Sequence, residues 1–158
     1  MKRYFCLLFC IAMSLILLSG CGSSNNSTEG TDWEPTLYET INNLDGVEMI
    51  VKEGTVSTTG LTVIFENNSV KECIYGEYFV LEKKMEGRWY QIPVAQEGDF
   101  DDIGYELASS DVREWTIDWN WLYGGLDTGD YRIVKDILDF RKAGDFDKYY
   151  LTAEFTID

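Results

Sequence analysis

From Val47 onward the chain alternates apolar and polar positions, the pattern of strands that bury one face. Val47, Met49 and Val51 occupy alternate positions in the first such segment, against Glu48 and Lys52. Further alternating or aromatic-rich segments occur at residues 61–65, 73–84, 88–94, 115–121, 131–137 and 150–157. Turn-forming residues separate them, and no stretch has a sustained helical period. The pattern predicts an all-β antiparallel sandwich of about seven strands.

The individual segments predict which side chains face inward. Residues 73–84 are expected to form one long aromatic strand, and the turn at 85–87 joins it to 88–94 as a hairpin. Two segments have apolar positions on a single face, which we expect to point into the core. These positions are Leu61, Val63 and Phe65 in one segment and Leu151, Ala153, Phe155 and Ile157 in the other.

The segment "WTIDWNW" places a row of aromatic side chains on one face of a predicted strand. The row is Trp115, Ile117, Trp119 and Trp121. A row of flat rings is either a platform for sugars or the buried face of a sheet. The aliphatic Ile117 and the polar residues between the rings favour the buried face. Trp121 is nearest the end of the strand, so it is predicted to be partly exposed and is the candidate for contact with a partner.

Tyr131 follows Gly129 at the start of another predicted strand, in "LDTGDYRIV". This is the setting of a tyrosine corner, in which a buried ring turns its hydroxyl onto backbone a few residues upstream. The alternative is a tyrosine that simply fits a strand. The spacing favours the corner.

The first twenty residues have the pattern of a secretory signal: a basic start followed by the uncharged, apolar residues 4–20. "LSGC" at the end of this run resembles a bacterial lipobox, which implies cleavage after Gly20 and lipid attachment to Cys21. The alternative is an ordinary secretory signal with an incidental cysteine. The lipobox predicts a protein held to the extracytoplasmic face of the cell membrane by its lipid.

These patterns divide the chain into three predicted parts. Residues 1–20 are the predicted lipoprotein signal peptide, and residues 21–46 are the lipidated cysteine with a polar tether and an ambiguous segment. The polar residues 22–32 predict a coil that reaches about 20 Å. Residues 33–46 are either a short helix or a loop that packs on the domain. Residues 47–158 are the predicted domain.

Charge and cysteine content narrow the range of partners. The formal charge is −15, and loss of Lys2 and Arg3 with the signal takes it to −17. Such a chain disfavours nucleic acid, because phosphate backbones demand cationic side chains. It also leaves membrane attachment to the lipid rather than to charge. Cys73 has no intramolecular partner if Cys21 is lipidated, so we expect no disulfide and a buried thiol.

Longer segments of the sequence resemble the bacterial Ig-like domains of Gram-positive, Firmicute-type lipoproteins and membrane sensors. The matching pieces are "LTVIFENNSVKECIYGEYFVLEKKMEGRWYQIPV", "DIGYEL", "WLYGGLDTGDYRIVK" and "YYLTAEFTI", in that order. The resemblance implies an immunoglobulin-like sandwich and carries no catalytic motif. The acidic "DFRKAGDFDK" before the last strand departs from the family pattern, as an insertion-like loop.

Candidate chemistry is sparse. The sequence has no histidine, which removes the commonest general base, and we expect no catalytic site and no cofactor. "GDFD" occurs at residues 98–101 and again at 144–147, and its acids are possible ligands for Ca²⁺. Neither copy has the spacing of a calcium loop, so solvated acidic turns are the favoured interpretation and no metal is assigned.

The sequence therefore predicts a non-enzymatic surface lipoprotein with a binding or presentation role and a protein or cell-wall partner. The alternative is a ligand-binding lipoprotein that recognises wall glycan or Ca²⁺ through the acidic loops and Trp121. A carboxylate-dependent hydrolase is the least favoured of the three.

Overall fold

A computed structural model describes residues 33–158, which form nine strands and one short helix. The strands are β1 Val47–Val51, β2 Gly60–Asn67, β3 Cys73–Tyr75, β4 Val80–Met85, β5 Arg88–Gln91, β6 Tyr105–Leu107, β7 Val112–Asp118, β8 Gly129–Lys142 and β9 Asp145–Ile157. The helix α1 is Asn120–Tyr123. The prediction of an all-β antiparallel sandwich is confirmed, with two more strands than expected.

The strands form two antiparallel sheets. The first sheet has the order β1-β2-β7, and the second has the order β5-β4-β8-β3-β6 with β9 also paired to β8. Strand β8 is the centre of the second sheet. Its one edge pairs with β9 from Gly129 to Lys142, and its other edge pairs first with β4 and then with β3.

The core lies between the sheets and is built from the positions that alternation selects. Leu61, Val63 and Phe65 of β2 are at most 2% exposed, and on β9 Leu151 is fully buried. Their partners from β8 are Ile133 and Ile137, also fully buried. The predicted inward faces of both segments are therefore confirmed. Each such side chain contributes about 1.5–3 kcal/mol by leaving water.

The prediction of one long strand over residues 73–84 is wrong. Strands β3 and β4 both pair with β8, but residues 76–79 interrupt them. Ile74 pairs with Leu138 and Val80 pairs with Val134, so six residue steps on one side face four on the other. The two extra residues leave the sheet and open a gap beside the middle of β8.

The predicted hairpin at 85–87 is confirmed. Strands β4 and β5 pair from Met85↔Arg88 to Glu82↔Gln91. Glu86 and Gly87 both have positive φ, at 52° and 78°. Two positive φ angles give a two-residue turn whose twist matches that of the flanking strands.

The acidic segment 139–148, predicted as an insertion-like loop, is instead the end of a long hairpin. Strand β8 continues to Lys142 and β9 begins at Asp145, with a register shift between Phe140 and Lys142. Gly144 has a φ of 78°, which suits the turn residue between the strands. The sequence did not predict strands here because both faces of this part of the hairpin meet water, so apolar and charged residues do not alternate.

Residues 33–46 form a loop that packs on the domain and contains no helix. The loop crosses the outer face of the second sheet. At one side the Thr36 N–H donates to the Trp89 carbonyl of β5 at 3.0 Å. At the other side the Asn42 N–H donates to the Tyr150 carbonyl of β9 at 2.8 Å, and the Asn42 amide group also bonds Thr152.

Beneath this loop lies a buried ion pair between neighbouring strands. Arg132 of β8 contacts the Glu82 carboxylate at 2.6 Å, and both side chains are at most 4% exposed. The same guanidinium donates to the Thr36 hydroxyl at 3.0 Å and lies over the Trp89 ring, 4.7 Å from its centroid. The loop thus keeps water away from charges that a bare sheet face would expose.

Candidate binding site

Three members of the predicted aromatic row belong to the core. Ile117 and Trp119 are 3% and 0% exposed, and Trp115 is half-buried against the same cluster. The Trp119 indole donates to the Thr58 carbonyl at 3.0 Å and stacks on Phe155, with ring centroids 5.5 Å apart. The core interpretation of these residues is confirmed. No sugar platform can use a ring that has no accessible face.

Trp121 does not share that row, and its expected place on the strand is wrong. Strand β7 ends at Asp118, whose carboxylate accepts a hydrogen bond from the Asn120 N–H at 2.9 Å and starts the turn into α1. Trp121 therefore lies on the helix, where it is 41% exposed. Its indole packs against Gly98, where an added Cβ would overlap the ring.

Trp121 supports a loop that walls the larger of two neighbouring clefts. This loop comprises residues 92–104, between β5 and β6. Its Phe100 ring meets Trp121 edge-on at 5.4 Å between centroids. The larger cleft has a volume of about 810 Å³ and lies between this loop, the sheet gap and α1. Its aromatic lining comprises Tyr78, Phe79, Phe100 and Tyr123.

A smaller cleft of about 380 Å³ lies on the other side of the same aromatic residues. Tyr78 and Phe100 line both clefts and meet edge-on at 5.4 Å. We call these two rings the aromatic ridge. Tyr78 belongs to the residues that leave the sheet between β3 and β4, so the interruption of the strand is what presents it. It is 47% exposed.

Both clefts are acidic. The acidic lining residues are Glu34, Glu97 and Asp99 in the larger cleft and Glu77, Asp101, Asp102 and Asp136 in the smaller one. No lysine or arginine lines either cleft within residues 33–158. The sequence pointed to the acids of the 92–104 loop, but it did not indicate Tyr78, because that residue was assigned to a continuous strand.

A buried lysine lies behind the smaller cleft, at the gap in the sheet. Lys135 of β8 is fully buried, with its Nζ 5.7 Å from the centroid of the Trp115 ring. Nζ donates to the Asp136 carboxylate at 2.6 Å and to the Asp136 carbonyl at 3.1 Å. The lysine thus satisfies a backbone oxygen near the place where the strand pairing is interrupted.

The two charges of this pair shift each other's ionisation. Burial lowers the pKa of Lys135, although the charge of Asp136 opposes the shift. Burial also works against ionisation of Asp136, but the neighbouring charges of Lys135 and Lys148 outweigh it and lower its pKa. Asp136 therefore remains a carboxylate at neutral pH.

The acids considered for Ca²⁺ occupy different settings. Asp145 and Asp147 lie on β9, where both bond the Arg141 guanidinium, at 2.7 and 3.0 Å. Asp99 and Asp101 lie in the 92–104 loop. Across residues 33–158 no group of three or more acidic or cysteine side chains is close enough to hold a metal ion.

Tyr131 has the contacts of a tyrosine corner. Its ring is 2% exposed and its hydroxyl donates to the Asp127 carbonyl at 2.7 Å. Two residues further along β8 is Ile133, fully buried, where antibody domains have a disulfide cysteine. An apolar contact between the sheets takes the place of that bond.

Burial disfavours ionisation of the Cys73 thiol and the Tyr123 hydroxyl. Cys73 is a free, buried cysteine, and burial raises the pKa of its thiol to about 11. Burial likewise raises the pKa of Tyr123 to about 12. A thiol of this kind is inert at neutral pH.

The predicted signal peptide 1–20, lipid attachment at Cys21 and tether 22–32 lie outside the described residues. Within the described part of the chain, no helix is long and apolar enough to cross a membrane.

Taken together, the two antiparallel sheets, with β8 central in the second and a tyrosine corner at its start, define an immunoglobulin-like sandwich. The model of the bacterial Ig-like domain family matches residues 43–156. The chain belongs to this family, whose domains are generally not catalytic. No curated protein and no solved structure gives a significant match.

Proposed function

We propose that this protein is a non-enzymatic lipoprotein that binds a partner at the outer face of the cytoplasmic membrane. The Ig-like fold supports a surface domain, and the basic start, apolar run and "LSGC" support lipid attachment at Cys21. Two acyl chains hold a protein firmly to a bilayer, because each buried CH₂ contributes about 0.8 kcal/mol.

The binding role depends on one observation, the pair of clefts flanking the aromatic ridge. Protein surfaces that expose large rings in a concave setting are typical of binding sites. Tyr78 is 47% exposed, whereas aromatic rings such as Trp119 and Tyr131 are enclosed in the core. The ridge has a cleft on each side, because Tyr78 and Phe100 line both of them.

Lipid attachment is tested by replacing Cys21. In cells fed labelled palmitate we expect the wild-type chain in the membrane fraction with label, and the Cys21→Ala chain unlabelled and uncleaved. Cys73→Ala is the matched control, which should keep its label. Label on the Cys21→Ala chain would contradict the proposed anchor.

The binding role is tested by crosslinking in intact cells. A photoreactive benzoylphenylalanine replaces Tyr78 in one strain and Ile50 in another, because these side chains are similarly exposed, at 47% and 44%. Ile50 lies on the first sheet, so it samples a different face. We expect a discrete crosslinked product from position 78 that Phe100→Ala weakens. Equal products from both positions, or none from position 78, would overturn the proposal. A product that lysozyme treatment converts into muropeptides would favour the wall-glycan alternative.

A further inference from the structure

We propose that the two clefts bind an extended, basic polypeptide segment, which lies across the aromatic ridge and places one cationic side chain in each cleft. This inference rests on the proposed binding role and names the chemistry of the partner. The observations behind it are the charge of the clefts, the exposed rings between them and their arrangement side by side.

The charge argument concerns carboxylates that have no counterion in the fold. Elsewhere on the domain some acids pair with a cation, as Lys52 does with Glu114 at 2.8 Å and Arg141 with Asp145 at 2.7 Å. In the clefts, five acids make no ion pair with any residue of 33–158. They are Glu34, Glu97, Asp99, Asp101 and Asp102. A cationic ligand therefore gains attraction without displacing an existing partner.

The aromatic ridge adds a second source of affinity for the same kind of ligand. Lysine and arginine side chains are attracted to the faces of tyrosine and phenylalanine within about 6 Å of the centroid, by about 0.5–2 kcal/mol. Within the described residues the fold already makes five cation–π contacts with its own cations, as at Lys83 over Tyr131, 5.1 Å from the centroid, and Arg132 over Trp89, 4.7 Å away. Tyr78 and Phe100 have no such cation within the described residues.

The arrangement favours a polypeptide over a small cation. An isolated amine fills one site, whereas here two acidic clefts share a single aromatic boundary. In an extended chain, residues two apart point to the same side and lie about 6.6 Å from each other. Alternate basic residues can therefore straddle the ridge, and the intervening side chains face away. The clefts of 810 and 380 Å³ have room for arginine or lysine side chains.

The experiment uses the full lipidated chain in nanodiscs of zwitterionic lipid, labelled with 5-fluorotryptophan. The probes are a short peptide in which arginine alternates with serine, a lysine–serine version and a glutamate–serine version. We expect both basic peptides to shift the fluorine resonance of Trp121, which contacts Gly98 of the cleft loop, and to leave that of the buried Trp119 unchanged. The glutamate peptide should shift neither resonance.

Charge-matched variants separate a defined site from general attraction to an acidic protein. Glu97→Gln with Asp99→Asn removes two charges at the larger cleft, and Glu48→Gln with Glu53→Gln removes two charges from β1 and its end. We expect about a tenfold loss of arginine-peptide affinity for the cleft variant and less than about twofold for the control. Equal losses would overturn the inference, as would a peptide shift that spreads over all the tryptophans.

The crosslinking experiment distinguishes failure of the inference from failure of the proposed function. If Tyr78 captures a partner in cells while neither basic peptide binds, the partner is not recognised by its cations and the inference is wrong. If there is no crosslink and no peptide binds, both proposals are wrong. A shift with free arginine as strong as with the peptide would replace the polypeptide by a small cationic ligand, and would also overturn the inference.

Discussion

Two groups of aromatic side chains lie on either side of the end of β7, and the fold treats them differently. The core group contains Trp119, Tyr131 and Phe155. The first two rings stack on Phe155, and the Trp119 indole and the Tyr131 hydroxyl each donate to a backbone carbonyl. The cleft group is the aromatic ridge with Trp121, whose rings meet edge-on and remain partly exposed. The comparison teaches that aromatic content alone does not separate stability from binding. The two groups differ in burial: other side chains enclose the core rings, whereas Tyr78 and Trp121 of the cleft group keep much of their surface exposed to solvent.

The largest expected difference between the groups is in stability. Trp119→Ala should lower the free energy of unfolding by about 3–5 kcal/mol, because it leaves a large cavity and removes the indole hydrogen bond to the Thr58 carbonyl. Trp121→Ala should lower it by only about 1 kcal/mol, because that ring is already 41% exposed. Urea unfolding of the two variants measures the difference. Equal losses would remove the distinction between core and cleft.

The Lys135–Asp136 pair lies between the core and the smaller cleft, since Nζ faces the Trp115 ring and Asp136 lines that cleft. Asp136→Asn should cost about 2–3 kcal/mol at neutral pH, because it leaves a buried ammonium without its counterion. Adding Lys135→Met should recover much of that loss. A double variant as unstable as the single one would show that the charge pair is not what Asp136 contributes.

The same pair predicts a pH dependence. The pKa of Asp136 is lowered in the folded state from its usual 3.8, so its contribution to stability is present above that pH. The contribution is lost as the pH falls through the folded-state value. Urea midpoints measured from pH 6 downward should therefore fall less steeply for Asp136→Asn than for the wild-type chain. Parallel curves would contradict the assigned ion pair.

A smaller effect is expected at the tyrosine corner. Tyr131→Phe keeps the ring and removes only its bond to the Asp127 carbonyl, which should cost about 1 kcal/mol. Tyr90→Phe is the control, since this half-buried tyrosine makes no hydroxyl hydrogen bond within the described residues. Its unfolding free energy should change by less than about 0.5 kcal/mol. An equal change in both variants would mean that the corner bond adds nothing.

The smallest effect on stability should come from the cleft carboxylates. Glu97→Gln with Asp99→Asn should leave the free energy of unfolding within about 0.5 kcal/mol of wild type, because exposed like charges contribute little to the folded state. Thermal melting checks this. A large loss would give these acids a structural role and weaken the case for a binding site.

Sequence patterns predicted the fold well where one face of a strand is buried. Leu61, Val63 and Phe65 occupy every second position of β2, and on β9 Leu151 and Ala153 alternate with polar residues. Tyr131 was identified because its spacing from Gly129 is a local feature.

The cleft could not be predicted because it depends on local breaks and on contacts distant in sequence. Helix α1 has four residues, too few to show a period, and it begins where the Asp118 side chain captures a backbone N–H. Gly76 within an aromatic strand was a signal of the interruption that presents Tyr78. The pairing of Tyr78 with Phe100 had no such signal, because only the path of the 92–104 loop brings the two rings together.

The loop that crosses the outer face of the second sheet also sets where the described part of the chain begins relative to the larger cleft. Its first residues pair with β5, and Glu34, the second described residue, lines the larger cleft. With lipid on Cys21 as proposed, the 13 residue steps from Cys21 to Glu34 span at most about 45 Å even when fully stretched. On that proposal, Glu34 at the edge of the larger cleft stays within this distance of the bilayer surface. The proposed anchor would therefore restrict the cleft to partners close to the membrane surface.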